Sequence, residues 1–525
     1  MLETIGFTSN TTWMLVSTGL VLFLTSILTK WYRMCTHFAK LNIPGPRPLP
    51  IIGNFHHIMK RGLPYNDLAM IEKYGKTFGY FEGSTPVVQT TDLKLIKSVL
   101  IKDFNVFTNR RQIDAVMFEP FDHFLSIIKD EDWKTVRAIL STTFTSGKLK
   151  SMSKLMLECA NNLNQHFQKV AEKDGIFSSV DFYRGLTLDV ISSCCFGFSV
   201  DSIKEPDNPV IKHLNRLSLD SMTKDPRFML LILFPKLAKF LSERNMLEII
   251  PKDTIKYLKE LTFTIMQNRR DKSEVRDDFI QSMVEHEQNV EEQKKSEEKS
   301  EDKKWDPKDL KHLRRTLTIA EIFSQSAMFL FAGYETSSTT LNLIAYHLAK
   351  YPEVQNKLIE EIDSVLANNN GEISYESVSE MKYLSMVIDE TLRIFPAAVR
   401  LDRIASEDFE YEGIKIEKDQ MIVVPIFALH HNKDIYPDPD RFDPERFSDE
   451  NKQKRDNNAY LPFGNGPRNC LGMRFAILEM KLALATTLSK FRFDTCDKTP
   501  EKIEIDSSGF ARPKEKIILK ISSRF

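Results

Sequence analysis

The chain has 525 residues, 42% of them hydrophobic, enough to bury a large core. A formal charge of −1 and a pI of about 6.9 exclude a nucleic-acid binder that works through a strong basic field. Six cysteines without any Cys-x-x-Cys spacing exclude a zinc ribbon or a dithiol redox pair, and free thiols in a reducing compartment are the simplest reading.

Residues 13–29 are uncharged and mostly apolar, within the length range of a membrane-spanning helix. Glu3 precedes them and Lys30, Arg33, Lys40 and Arg47 follow, an asymmetry that orients the C-terminal side toward the cytoplasm. Neither a basic leader nor a small-residue cleavage site accompanies the stretch, so a retained anchor is expected. The Asn10-Thr11-Thr12 sequon would face the lumen, too close to the span to carry a glycan. The expected organisation is an anchor with its flank over residues 1–36 and a single globular domain over 37–525.

Pro44, Pro46, Pro48 and Pro50 make residues 41–50 a stiff, extended connector that restricts the poses of that domain over the bilayer. Alternation around Gly79, Gly83 and Pro86 predicts a strand pair between residues 77 and 89. Helical patterns dominate from there. Trp133 and Arg137 stand four apart on one helix face, where an indole and a guanidinium could clamp a carboxylate. Arg110 is a further candidate of that kind.

The apolar run within residues 225–251, flanked by Lys224, Lys236 and Lys239, is either core or a loop dipping into the membrane surface. Residues 285–315 are a mixed run of charges with almost no apolar side chains and are expected to form a solvated loop. Thr318-Ile319-Ala320-Glu321 has capping-box form and opens a helix that can run to the residues before Pro352, about 50 Å. In its middle lies Ala332-Gly333-Tyr334-Glu335-Thr336. A mid-helix glycine costs about 1 kcal/mol against alanine. Either close packing or a local opening of the helix, with Thr336 and Glu335 beside it to relay protons, would account for Gly333.

Glu390 and Arg393 are adjacent on a helix face, and Arg446 follows downstream in Pro444-Glu445-Arg446-Phe447. His430 and His431 lack a persuasive metal-ligand spacing and are expected to be structural. Finally Phe463-Gly464-Asn465-Gly466-Pro467-Arg468-Asn469-Cys470-Leu471-Gly472 places one cysteine between glycines and an arginine, just ahead of a helical pattern at Leu471, Phe475, Leu478, Leu482 and Ala485. A helix N-terminus favours an anionic sulfur, and Gly472 leaves room beside it for something flat and wide. Cys194 and Cys195 lie in an apolar stretch and are expected to pack.

The register of Phe463, Gly466, Arg468, Cys470 and Gly472 resembles the haem-binding signature of the cytochrome P-450 monooxygenases. The chain is most similar to their vertebrate drug-metabolising third family, through Trp133 to Arg137, Phe144-Thr145-Ser146-Gly147-Lys148-Leu149, and Gly466 to Phe475. That resemblance implies a mainly α fold with a small β region, haem lying between a long distal helix and a proximal Cys-loop helix. Cys470 would be the axial iron ligand of haem b, with Phe463 and Gly472 beside it and Arg468, Trp133, Arg137, Arg110 and Arg403, or Arg400 in place of Arg403, holding the cofactor. Thr336 and Glu335 would relay protons to bound dioxygen. Glu390, Arg393 and Arg446 would form a structural ionic triad. Phe329, Ala332, Ala397, Ala398, Val399 and Phe510 would line the pocket of a lipophilic substrate. No dinucleotide fingerprint precedes a helix, so electrons from NADPH must come through a reductase, with cytochrome b5 as a second candidate donor. Lys134, Arg474 and Lys481 are candidates for docking it. The family's microsomal members imply the endoplasmic reticulum membrane, with the catalytic domain on its cytoplasmic face.

Overall fold

The computed structural model describes residues 9–112, 119–216, 225, 227, 235–244, 246–247, 251–274, 276–297, 315–506 and 509–525. The apolar run at 228–234 lies outside the described residues, as does the charged stretch at 298–314.

The chain opens with helix Ser9–Lys40, long and apolar enough over 12–40 to cross a membrane. Its apolar residues near the start, Trp13 and Leu22 among them, are exposed, as a lipid-facing surface must be. Its last turns behave differently. Met34 and Phe38 are buried, and Phe38 packs edge-on against Phe81 with ring centres 5.2 Å apart. The expected boundary at 36/37 therefore falls inside one continuous helix whose end belongs to the globular core. The proline connector is docked as well. Gly79 N–H donates to Pro44 O at 2.8 Å, and a Cβ on Gly45 would lie 1.9 Å from Gly79 O. Asn54 donates to Arg47 O and accepts from Phe81 N–H at 3.1 and 2.9 Å, stapling the connector to the sheet.

The predicted strand pair is present as β1, Thr77–Glu82, and β2, Thr85–Thr90, antiparallel with Glu82 opposite Thr85. Gly83 supplies the positive φ, +60°, that so tight a turn needs. Further strands are β3 (Ile176–Ser178), β4 (Leu401–Ile404), β5 (Phe409–Tyr411), β6 (Ile414–Ile416), β7 (Met421–Val424), β8 (Phe491–Asp494) and β9 (Ile518–Ser523). They form sheets ordered β1-β2-β7-β4, β3-β9-β8 and β5-β6, with β2 and β7 parallel and the remaining pairs antiparallel. Helices make up most of the rest.

At the centre runs helix Ile319–Lys350, opened by the predicted capping box: Thr318 Oγ1 accepts from Glu321 N–H while Glu321 accepts from Thr318 N–H. It is mostly buried because other elements surround it, above all helix Ser179–Cys195 and then helix Lys382–Ile394. Leu341, Leu343, Ile344 and Leu348 are fully covered there, each such side chain stabilising the fold by about 1.5–3 kcal/mol.

One expectation is overturned within the described residues. Phe279–Glu297 is a helix, so 285–297 is not loop. Phe279, Ile280, Met283, Val284 and Val290 are buried along one face of it. That apolar stripe begins ahead of the charged run and carries the helix into it, leaving the charges on the solvent face.

Candidate functional site

The loop from Phe463 to Gly472 closes on itself. Cys470 N–H donates to Phe463 O at 2.8 Å, Asn469 N–H to Gly466 O at 3.0 Å and Gly464 N–H to Leu461 O at 3.0 Å. Gly466 has φ +73°, and a Cβ there would lie 1.9 Å from Leu100 O, so only glycine fits. His430 braces the loop's entry: its Nε2 accepts from Leu461 N–H at 2.9 Å, and its Nδ1 faces Arg393 O at 3.2 Å. His431 stacks on Phe427, ring centres 4.1 Å apart. Both histidines are structural.

Gly472 caps helix Met473–Leu488, which puts Cys470 just ahead of the helix N-terminus. A Cβ on Gly472 would meet nothing within 4 Å. Cys470 is solvent-accessible, whereas Cys194 and Cys195 are buried as expected. Protein nonetheless surrounds Cys470 closely, and burial pushes its thiol pKa up, opposed by the N–H groups of Gly472 and Met473 and by the charges of Arg110 and Arg137. The helix terminus alone therefore does not make the thiolate. A coordinated cation would, because a metal-bound thiol is deprotonated outright.

Four arginines gather around this loop. Arg468 is buried; it donates to Ile128 O at 2.9 Å and lies over the Trp133 ring at 4.3 Å. Arg110 donates to Arg468 O at 3.1 Å, and Arg403, buried on β4, donates to Asp402 O at 2.7 Å. Arg137 gives both terminal nitrogens to Asn469, at 2.8 Å to its carbonyl and 2.7 Å to its side chain. Arg137 thus braces the Cys loop and Trp133 stacks under Arg468, both on the helix face from which the sequence expects them to meet a carboxylate. Asn469 stood within the motif, but nothing in its spacing marked it as Arg137's acceptor. Arg400 is ruled out as the alternative to Arg403, since Asp67, Glu82 and Tyr80 engage it.

Burial, and then repulsion by Arg110, holds both Arg403 and Arg468 down at about 9, with Arg403 and Arg137 adding to the effect on Arg468. Among the described residues, the buried Nε atoms of Arg110, Arg403 and Arg468 find no hydrogen-bond acceptor. Repelling guanidinium groups with unmet donors form a receptor for carboxylates. Haem, a flat ring with two propionates and an iron that takes thiolate, fits this donor set.

Helix Ile319–Lys350 stays unbroken through Gly333. A Cβ there would come within 2.8 Å of Ile191 Cδ1, so close packing against helix Ser179–Cys195 explains the glycine. Extra hydroxyls load the carbonyls around it: Thr336 Oγ1 donates to Ala332 O at 2.5 Å, Thr187 to Tyr334 O at 2.9 Å and Thr340 to Thr336 O at 2.9 Å. Glu335 is buried 3.8 Å from the Arg512 guanidinium, which also pairs with Asp506 at 2.9 Å. Sequence reasoning missed Arg512, because no local spacing links it to a residue on the long helix.

Glu335, Thr336, Thr339, Ala397, Phe510, Ala511 and Arg512 line one cavity. Ala332 is accessible one turn before Thr336 on the same helix. Ala398 bridges Phe510 in β fashion, while Val399 is fully buried with its N–H on Gly509 O at 3.0 Å. Phe329 does not join them. Although in phase with Thr336, it is covered by the rings of Phe144 and Phe279, 5.5 and 4.9 Å away, and is core.

The ionic triad is assembled. Arg393 donates to both oxygens of Glu390 at 2.7 and 2.9 Å, Arg446 Nε lies 3.4 Å from Glu390 and Asp443 N–H donates to it at 2.9 Å. Arg393 also binds His430 O and Pro439 O at 3.0 and 2.8 Å, tying the segment before the Cys loop to helix Lys382–Ile394. Of the three docking candidates, Lys134 is exposed and paired with Glu131 at 2.7 Å, and Arg474 is exposed, donating to Ser146 at 2.8 Å. Lys481 is buried and unsuitable: its ammonium binds Val378 O and Met381 O at the C-terminal end of helix Tyr375–Glu380, where the carbonyl dipoles favour a cation.

Comparison with known proteins gives the family. The Cytochrome P-450 family profile matches residues 43–521. Cytochrome P-450 3A31 of Mesocricetus auratus is 39% identical over 98% of this chain and 97% of its own length. Cytochrome P-450 3A5 of Homo sapiens is 39% identical over 97% of each chain, and cytochrome P-450 3A41 of Mus musculus 40% over 97% of each. With a family profile covering most of its length and relatives of about 40% identity aligned almost end to end, the chain belongs to the cytochrome P-450 family of haem-thiolate monooxygenases.

Proposed function

We propose that the chain is a membrane-anchored monooxygenase that inserts one oxygen atom of dioxygen into lipophilic molecules such as xenobiotics, steroids or fatty acids. NADPH electrons arrive through a separate reductase, and cytochrome b5 is a second donor. The cluster of Arg110, Arg403 and Arg468, with three buried Nε donors lacking acceptors beside Cys470, carries the reading. Haem bound there supplies dioxygen activation, helped by the electron donation of a thiolate ligand.

The protein's own residues do the rest. Cys470 would hold the iron, and the arginines the propionates. Arg137, through Asn469, fixes the loop that presents the sulfur. Thr336 keeps a hydroxyl proton on Oγ1 next to Glu335, in the cavity where Ala397 and Phe510 leave a small, apolar contact surface for substrate. Lys134 and Arg474, exposed on the Cys-loop side, are the remaining candidates for docking an acidic reductase. The basic residues that follow the anchor support a cytoplasmic catalytic domain, and the family's microsomal type supports the endoplasmic reticulum.

The test is the carbon monoxide difference spectrum of the reduced protein, together with NADPH-dependent oxidation of a lipophilic substrate panel with added reductase. Wild type should show the red-shifted thiolate band and turn over; Cys470→Ala should lose both. A band that survives in Cys470→Ala would overturn the ligand assignment.

A further inference from the structure

One cation facing Glu335 comes from the C-terminal segment that also shapes the pocket. Residues 505–506 pair with residues 512–513: Ile505 bridges Pro513, Asp506 N–H donates to Arg512 O at 2.8 Å, and Arg512 Nε donates to Asp506 Oδ2 at 2.9 Å. The same segment clips onto residues 398 and 399 through the Ala398–Phe510 bridge and Val399 N–H on Gly509 O. Phe510, Ala511 and Arg512 consequently reach one cavity together with Glu335 and Thr336. Arg512 is shared unequally, 2.9 Å from Asp506 on its own segment and 3.8 Å from Glu335 on the long helix. Glu335 is only 4% exposed, and a nearby cation helps to offset the cost of burying a carboxylate there. At 3.8 Å, a small displacement of the segment makes or breaks the pair.

We propose that Arg512 is a positioning residue for proton delivery, holding the Glu335 carboxylate beside Thr336, and that substrate against Phe510 adjusts this hold through their shared segment. The inference rests on the reading above that Glu335 and Thr336 handle protons. It adds a positioning residue to that relay and a route by which occupancy of the pocket reaches the acid.

The experiment uses the full-length, haem-loaded enzyme with reductase and measures hydrogen peroxide released per NADPH, with and without testosterone as a neutral steroid probe. Arg512→Gln should raise that ratio roughly three- to tenfold, since modest misplacement of a catalytic group has effects of that order or larger. Glu335→Gln should do the same, the double variant should be no worse than either single one, and Arg512→Lys should restore part of the loss. Amide hydrogen exchange across residues 509–513 should rise alike in Arg512→Gln and Glu335→Gln, because each breaks the same tether. If Glu335→Gln uncouples while Arg512→Gln behaves as wild type, or if the two effects add, the positioning role is refuted and the relay stands. If Glu335→Gln itself leaves peroxide unchanged, the relay reading fails first. Should Arg512→Gln not load haem, Arg512→Lys and Asp506→Asn carry the same measurement: wild-type peroxide and exchange in both refutes the role, and a change in both supports it.

Discussion

Glu479 offers a quantitative check on the interior. It lies on helix Met473–Leu488, 2% exposed, and neither carboxylate oxygen makes a well-formed hydrogen bond. Burial pushes its pKa from 4.5 up to about 8, with only Ser337 on the long helix favouring the charged form. The folded pKa is the higher one, so between pH 4.5 and 8 the folded state holds a proton that the unfolded chain releases. Stability from this group is intact below pH 4.5 and falls as pH rises, by about 1.4 kcal/mol per pH unit and about 3 kcal/mol by pH 7. Glu479→Gln keeps the shape and abolishes the titration. The variant should match wild type near pH 4.5 and gain up to about 3 kcal/mol at pH 7, read from urea midpoints of both proteins in detergent at matched pH. An advantage of equal size at pH 5 and pH 7.5 would refute the idea that this carboxyl is neutral in the fold.

Other outcomes follow from the loop, the triad and the long helix. Gly466→Ala must move Leu100 O and adopt φ +73°, and should abolish haem incorporation, seen as loss of the Soret band in purified protein. Arg393→Met leaves Glu390 buried without its bidentate partner, so the fold should lose about 3–5 kcal/mol, measured as a lower denaturation midpoint; a loss under about 1 kcal/mol would mean Arg446 alone can hold the carboxylate. Thr336→Ala removes the hydroxyl that now loads Ala332 O while leaving the helix intact. Helicity should be unchanged and NADPH consumption should run ahead of product; tight coupling in that variant would count against the relay.

The sequence disclosed most where chemistry is local. Gly466, Arg468 and Cys470 lie within five positions, and their backbone demands can be read without knowing the fold. The capping box at Thr318 is equally short-range. Residues brought together by topology were less legible. Arg400 and Arg403 look alike in sequence, but strand β4 turns Leu401 and Arg403 inward, while Asp67 and Glu82 from distant segments claim Arg400. Lys481 resembles a surface charge until the carbonyls of Val378 and Met381 are placed against it. Counting charges from residue 285 onward hid the apolar stripe that starts at Phe279 and orders that helix. Phe329 enters the pocket through the resemblance alone, and no local pattern shows that the rings of Phe144 and Phe279, from distant segments, cover it.

The docked end of the first helix bears on how this enzyme sits at a bilayer. Phe38 is wedged so close to β1 that a Cβ on Gly79 would come within 2.3 Å of its ring, and Trp31 Nε1 donates to Pro48 O at 2.9 Å. A spanning segment built into the domain in this way acts as a mast stepped into a hull, and tilting one tilts the other. Adding or deleting residues upstream of Trp31 should therefore raise, lower or rotate the entire body about the membrane normal, by about 1.5 Å and 100° per residue, instead of slackening a tether.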